Sequence, residues 1–326
     1  MSNTHYGTRS ATLSTWLASL PPGALDIMEQ LSFQDGRARM AKLEEATFPS
    51  MPELETVDHE CTARDGTLLS MRVWRLRDHG HGTPPVAYIL HGGGWSYGGH
   101  KTDSTLIRSL ASELGYVVVT IEYRLAPEHP FPTPFYDACD GLQWVHENGN
   151  MIGGDPSRIV VVGSSAGSNL AASAVLQMIE DGRNLGLQAL VLDLPQVCHY
   201  KHLPTNRYEL KSMQEVTGTT LTESKMHLYS DAYHPKGDDD WRVSPLLAPE
   251  SLLKQLPQTL LQVAGADPLR DEGIAFARLL ERLQVPTTLH VYAGECHGFR
   301  AAPLKMVEPA AAAASDMEKF LRKTVP

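Results

Sequence analysis

Cysteine is scarce in this chain, basic residues never gather into a run, and no long apolar stretch is free of polar side chains. The four cysteines among 326 residues, Cys61, Cys139, Cys198 and Cys296, are far apart, and no pair has the C-x-x-C spacing of a metal or redox site. A reducing compartment is therefore expected. Lys and Arg number 28 against 38 Asp and Glu, a formal net charge of -10. Nucleic acid and anionic membrane are excluded as partners, because both require a basic footprint that displaces counterions. The first 22 residues lack the apolar core of a secretory signal, and no N-x-[ST] sequon occurs, so a cytoplasmic location is expected. The least charged window, Ile159 to Ile179, is about the length of a membrane span but contains Ser164, Ser165, Ser168 and Asn169. A strand followed by a buried helix accounts for it better. The chain shows no 20 to 50 residue repeat and no low-complexity linker, which disfavours solenoids and two-bead architectures.

What the chain does contain is an ordinary globular composition, 42% hydrophobic and 20% charged, arranged as strand then helix. Leu54 to Cys61 and Leu68 to Leu76 flank Arg64-Asp65-Gly66-Thr67, a turn sequence that predicts an antiparallel hairpin. Six short apolar runs follow: Val86 to Leu90, Tyr116 to Ile121, Arg158 to Val162, Ala189 to Leu192, Thr259 to Val263 and Thr287 to Tyr292. Helical patterns lie at Ser104 to Leu114, Phe135 to Glu147, Ala166 to Ile179, Glu272 to Leu283 and Val307 to Arg322. Continuously apolar strands alternating with helices predict a doubly wound α/β fold, with a parallel sheet covered on both faces. Two stretches break the rhythm. Residues 10 to 46 carry apolar side chains at helical spacings, and residues 195 to 250 have no clear strand but too much length for a bare loop. Both are candidates for a cap over the C-terminal edge of the sheet, where open α/β sheets bind ligands.

Gly163-Ser164-Ser165-Ala166-Gly167 matches G-x-S-x-G between a strand and a helix, the setting that gives the motif its meaning. Such an elbow holds its Ser on a tight turn, with glycines where side chains would strike neighbouring backbone. Ser165 is the expected nucleophile. A second copy, Gly94-Trp95-Ser96-Tyr97-Gly98, is not followed by an immediate helix, so Ser96 is set aside. His91-Gly92-Gly93-Gly94-Trp95 directly follows an apolar strand and leaves backbone N–H groups uncovered, as an oxyanion loop requires. The expected donors are Gly92, Gly93 and Ala166, with Gly94 as a replacement for one of the first two.

A nucleophilic Ser needs a base, and the base an orienting carboxylate, in the order Ser, acid, His. Asp267 lies just past the run Thr259 to Val263, and His297 just past Thr287 to Tyr292, so both loops converge on the same sheet edge as Ser165. Asp271 and Glu272 compete with Asp267 but fall at a helix start, where acidic side chains are favoured by the dipole. His290 sits within a strand, His91 belongs to the glycine loop, and Cys296 has no second metal ligand at suitable spacing, so His297 is the expected base.

With these residues assembled, residues 50 to 326 resemble the hormone-sensitive-lipase-like family of α/β-hydrolases, the carboxylesterases with an HGGG loop. Four motifs carry the resemblance: His91-Gly92-Gly93-Gly94-Trp95, the run Tyr123 to Pro132, Gly154-Asp155-Pro156-Ser157-Arg158-Ile159, and Asp267-Pro268-Leu269-Arg270-Asp271-Glu272. One departure is Ser164, because the family elbow is commonly G-D-S-A-G or G-T-S-A-G. The resemblance implies an eight-stranded, mostly parallel sheet with helices on both faces and a helical cap. It implies no cofactor and no metal, and hydrolysis of short to medium acyl esters, so that the partner is a small-molecule ester. A single domain over 1–326 is expected, its cap formed by about 1–48 and 195–245, with Tyr200, Tyr208, Tyr229, Tyr233 and His199 among the residues expected to line or cover the pockets. The acidic run Asp238-Asp239-Asp240 is read as a solvated turn. Lactone, thioester or C–C bond cleavage, elimination or cyclisation, and a small-molecule receptor on the same scaffold remain alternatives, and a homodimer is left open.

Overall fold

The computed structural model describes residues 3–78, 82–183, 185–301 and 307–325; the first two residues of the expected cap and the final proline lie outside the described residues. Eight strands form one sheet: β1 Leu54–Thr62, β2 Leu68–Leu76, β3 Pro85–Leu90, β4 Val117–Glu122, β5 Asp155–Ser164, β6 Leu187–Asp193, β7 Gln258–Ala266 and β8 Thr287–Cys296. Their order is β1-β2-β4-β3-β5-β6-β7-β8. Only β2 runs against the others, pairing antiparallel with both β1 and β4. The hairpin that reverses the chain is closed by Gly66, whose φ of 86° suits glycine, and by the Asp65 carboxylate accepting from the Thr67 amide at 3.0 Å.

Each central strand is apolar throughout because both of its faces are covered. In β3, Val86, Tyr88 and Leu90 pack into one core and Ala87 and Ile89 into another; in β5, Ile159 and Val161 oppose Val160 and Val162 in the same way. Helices Thr133–Asn148, Ala166–Glu180 and Arg270–Arg282 cover the first face, and the segment from Ser104 to Glu113 with helix Val307–Thr324 covers the second. Full burial of each such Val, Ile or Leu is worth about 1.5–3 kcal/mol, so the two cores dominate the stability. Among the described residues no helix is long and apolar enough to cross a membrane.

The strands run further than their apolar centres indicate. β5 begins at Asp155 and ends at Ser164, and β8 continues to Cys296, after a register shift between Ala264 and Ala266 in its partner β7. Nucleophile, acid and base candidates thus follow directly on strand ends. The segment Ser104 to Glu113 is helical as expected, but its second half, Arg108–Glu113, is a π-helix.

The stretches outside the sheet rhythm are helical. The first holds Ala11–Ser19, Ile27–Gln30 and Phe33–Thr47; the second holds Ser212–Glu215 and Glu223–Tyr233, and Glu250–Leu253 begins at its last residue. The Arg37 guanidinium fastens helix Phe33–Thr47 to the body, donating to the carbonyls of Ser96 at 2.8 Å and Ala126 at 2.7 Å and pairing with Glu128 at 2.6 Å. Two acidic residues hold the start of the second stretch. Glu272 accepts from the Val197 and Cys198 amides at 2.7 and 3.2 Å, and Asp271 from those of Lys211 and Ser212 at 2.7 and 2.8 Å.

Candidate active site

The turn between β5 and helix Ala166–Glu180 is a strained one. Ser165 adopts φ 54°, ψ −119°, a combination that a non-glycine residue keeps only where its surroundings enforce it. Those surroundings are close. A Cβ on Gly163 would stand 2.3 Å from the Gly167 carbonyl oxygen, and one on Gly167 would stand 2.0 Å from that of Leu90. The Ser165 amide donates to the Asp193 carbonyl at 2.8 Å, and the Ser168 hydroxyl donates to the carbonyls of Gly163 and Asp193 at 2.7 and 2.9 Å. The Ser165 side chain is thereby left facing a cavity at the C-terminal edge of the sheet.

Two loops from neighbouring strands meet it. Ser165 Oγ lies 2.8 Å from His297 Nε2, and His297 Nδ1 lies 2.7 Å from Asp267 Oδ2. The other oxygen of Asp267 accepts from the Leu269 amide at 2.9 Å, which fixes the carboxylate's plane. Burial disfavours the imidazolium of His297, but the charge and hydrogen bond of Asp267, with Asp193 beyond, outweigh it, and the pKa is raised above its ordinary value. In chemical terms the arrangement can take a proton from a hydroxyl and hold the resulting cation against a carboxylate.

The glycine loop is held by side chains around it. Burial pushes the His91 pKa down to about 4, so the ring is neutral; Nε2 is buried without a partner, and Nδ1 lies 2.8 Å from the Gly92 carbonyl oxygen, to which it donates. Tyr123 stacks on this ring, centroids 4.1 Å apart, and its hydroxyl donates to the His91 carbonyl at 2.8 Å. Gly93, at φ 119°, has no room for a Cβ, which would lie 2.4 Å from the Tyr97 carbonyl oxygen.

The amide expected at Gly92 is not available to an oxyanion. It donates to Asp103 Oδ2 at 3.0 Å, a partner that no motif indicated. The amides of Gly93 and Gly94 make no hydrogen bond among the described residues, and that of Ala166, first in its helix, has no intrahelical acceptor. The amides left without an acceptor are therefore those of Gly93, Gly94 and Ala166, with the alternative glycine in place of Gly92, and Gly93 and Gly94 line the cavity. The reason is tertiary, since the carboxyl that occupies Gly92 comes from a separate turn.

The competing residues are elsewhere. Asp271 and Glu272 are spent on the backbone of the 195–250 stretch, and His290 faces Asp316 at 3.5 Å on the outer strand. Ser96 is buried with its hydroxyl unpartnered, away from the elbow's strand-to-helix setting. Cys296 is fully buried, and its thiol is pushed up to about 11 by that burial.

The cavity above Ser165 has a volume of about 320 Å³. Met28, Met40 and Leu43 reach it from the N-terminal helices, and Leu221, Met226 and Tyr229 from the second stretch. Of the cap side chains expected around it, only Tyr229 lines it. Tyr233 stacks behind on Trp95 at 4.3 Å, while His199 and Tyr200 stack on each other, and Tyr208 packs against the main core. Helix Ala11–Ser19 is also off the cavity, because Leu13 anchors it to the end of β8 through Cys296 and Phe299. Asp240 of the acidic run pairs with Arg242 at 2.6 Å and does not reach the cavity.

Residues 87–301 match the family model described as alpha/beta hydrolase fold. The carboxylesterase NlhH of Mycobacterium tuberculosis is 35% identical over 290 residues, 86% of this chain and 85% of that protein. Among solved structures, a thermostable esterase from Pseudomonas putida superposes with a TM-score of 0.87 at 31% identity, covering 98% of each chain. Brefeldin A esterase, described as a bacterial homologue of human hormone sensitive lipase, superposes with a TM-score of 0.82 at 26% identity, covering 97% of this chain and 94% of its own.

Proposed function

Because the chain belongs to the alpha/beta hydrolase fold family, in its hormone-sensitive-lipase-like branch, we propose that it is a serine carboxylesterase acting on short to medium acyl esters. Carboxylesterase and esterase relatives at 31–35% identity over most of the chain support the activity. The observation that carries the mechanism is the unbroken chain from Ser165 through His297 to Asp267 beneath a largely apolar cavity.

Ser165 Oγ attacks the ester carbonyl while His297 Nε2 takes its proton, and Asp267 holds the imidazole in the tautomer that leaves Nε2 free to accept. The oxyanion of the tetrahedral intermediate is met by the amides of Gly93 and Ala166, with Gly94 beside them. One such donor is typically worth about 3–4 kcal/mol. His297 then passes its proton to the leaving alcohol, and a water activated by the same imidazole releases the acid. A largely apolar cavity of about 320 Å³ is in keeping with a short or medium acyl chain. The 28–48 and 196–229 stretches act as the cap of one domain. The four cysteines, all free and buried, support a reducing, cytoplasmic setting.

The test is covalent. A fluorophosphonate is expected to abolish turnover of p-nitrophenyl butyrate and to leave one adduct, on Ser165, with Ser165→Ala both inactive and unlabelled. Normal turnover without an adduct would falsify the mechanism, and hydrolysis of lactones in preference to esters would move the substrate class.

A further inference from the structure

Asp103 is a carboxyl that the mechanism above leaves unused. It stands on the turn between the glycine loop and the helix that starts at Ser104, and it lines the cavity beside Ser165. Its Oδ2 accepts the Gly92 amide at 3.0 Å, and the hydroxyl of Ser164, the last residue of β5, bonds it as well. Among the described residues no Lys, Arg or His forms an ion pair with it. The charged groups that face it are Asp193, at the end of β6, and Arg300, after β8; Arg300 is already committed to Asp193 at 3.1 Å and to Gln262 at 2.8 Å. Burial first, and Asp193 second, push the Asp103 pKa up to about 7, against the opposing pull of the Gly92 amide, Arg300 and Ser164.

The significance lies in what Gly92 controls. Its carbonyl and the Gly93 N–H belong to one planar peptide unit, so fixing one directs the other. His91 holds that carbonyl from one side at 2.8 Å, and Asp103 holds the Gly92 amide from the other at 3.0 Å. With both backbone groups of Gly92 bound, the loop has little freedom to swing its next two amides away from Ser165. The geometry points to Asp103 as the positioning residue of the oxyanion loop: by gripping the Gly92 amide it aims the Gly93 and Gly94 N–H groups at the reacting carbonyl. This inference rests on the esterase reading above. The Ser164 hydroxyl adjoins Asp103, and Arg300, the cation that faces the site, is already paired with Asp193, so a carboxyl placed at 164 would have no cation of its own.

The experiment compares kcat and KM for p-nitrophenyl butyrate at pH 8 in wild type, Asp103→Ala, Asp103→Asn, Ser164→Asp and the Ser164→Asp/Asp103→Asn double variant. Asp103→Ala is expected to lose about 10- to 100-fold in kcat with KM within about twofold, the pattern of an interaction made only in the transition state. Its affinity for a trifluoromethyl ketone analogue is expected to fall by the same factor as kcat/KM. Asp103→Asn keeps an oxygen for the Gly92 amide and is expected to stay within about threefold of wild type. Ser164→Asp brings two carboxyls together and is expected to lose about tenfold in kcat, which the double variant restores to within about threefold of Asp103→Asn. If Asp103→Ala does not fold, the Ser164→Asp pair decides the matter. Wild-type kcat in Asp103→Ala, a change confined to KM, or an unaffected Ser164→Asp overturns the inference. Fluorophosphonate labelling of Ser165 separates these results from failure of the esterase reading, because an enzyme still labelled on Ser165 keeps its nucleophile whatever Asp103 does.

Discussion

His297 illustrates how two opposing influences on one side chain set an enzyme's pH range. Burial alone would lower its pKa; the Asp267 carboxylate at 2.7 Å reverses the sign. In the proposed mechanism the base must be neutral to accept the Ser165 proton, so activity is expected above the His297 pKa and is lost as pH falls through it. The acid limb of kcat/KM is therefore expected above 6.5, the ordinary imidazole value, and to move to lower pH in Asp267→Asn, where only Asp193 is left to oppose burial. In the same variant kcat is expected to fall by about 10³–10⁴, because an amide cannot hold the productive tautomer. A limb that stays in place when Asp267 is replaced would show that another group sets it. At this scale the triad candidates were legible in the sequence because each sits in a short motif directly after a strand. Asp103 was not, since nothing in Lys101-Thr102-Asp103-Ser104 signals that its carboxyl meets the Gly92 amide eleven residues back.

Helix Phe33–Thr47 is the element whose role depends most on its attachment. Its mixed composition gives it little affinity for the core, and only Gly36 along it is buried, against the Tyr97 ring. Arg37 attaches its first half, with two backbone carbonyls and Glu128 as partners, while Glu44 and Glu45 near its end accept from Thr102 and Lys101 at 2.7 and 2.8 Å. Hydrogen bonds to charged groups are worth about 1.5–3 kcal/mol each when well formed, and less where one partner is exposed, as Glu128 is. Arg37→Ala is expected to raise KM for p-nitrophenyl butyrate about three- to tenfold with kcat within twofold, because Met40 and Leu43 form cavity wall but do not touch the reacting atoms. Trypsin is expected to cut faster at Arg39 and Lys42 in this variant. Unchanged KM and cleavage would mean that the helix holds its place without Arg37. Sequence spacing revealed helices here but not their destinations: Ala11–Ser19 and Phe33–Thr47 read alike as amphipathic, yet the first docks on β8 and the second on the cavity.

Across the whole molecule, the thiols report how uniformly the interior is closed. All four cysteines are buried, and burial pushes Cys61 and Cys296 up to about 11, with Cys139 and Cys198 raised further. At pH 8 they are protonated and enclosed, so iodoacetamide is expected to leave the native protein unmodified over an hour and to add four groups in urea, read by intact mass. Rapid single labelling of native protein would identify a region that opens locally. The sheet, its parallel centre and antiparallel hairpin, the elbow at Ser165, and the placement of Asp267 and His297 just past successive strands were all determined by local pattern: strand periodicity, turn residues and glycines where a Cβ cannot fit. The extent of β8, the choice of Gly94 over Gly92 as a free donor, the clamp formed by His91 and Asp103, and the selection of Tyr229 alone among the cap aromatics were decided only by tertiary structure. Each depends on which distant groups arrive at the same place, and a backbone amide's availability is set by the acceptor that reaches it first, which no neighbouring residue in the chain encodes.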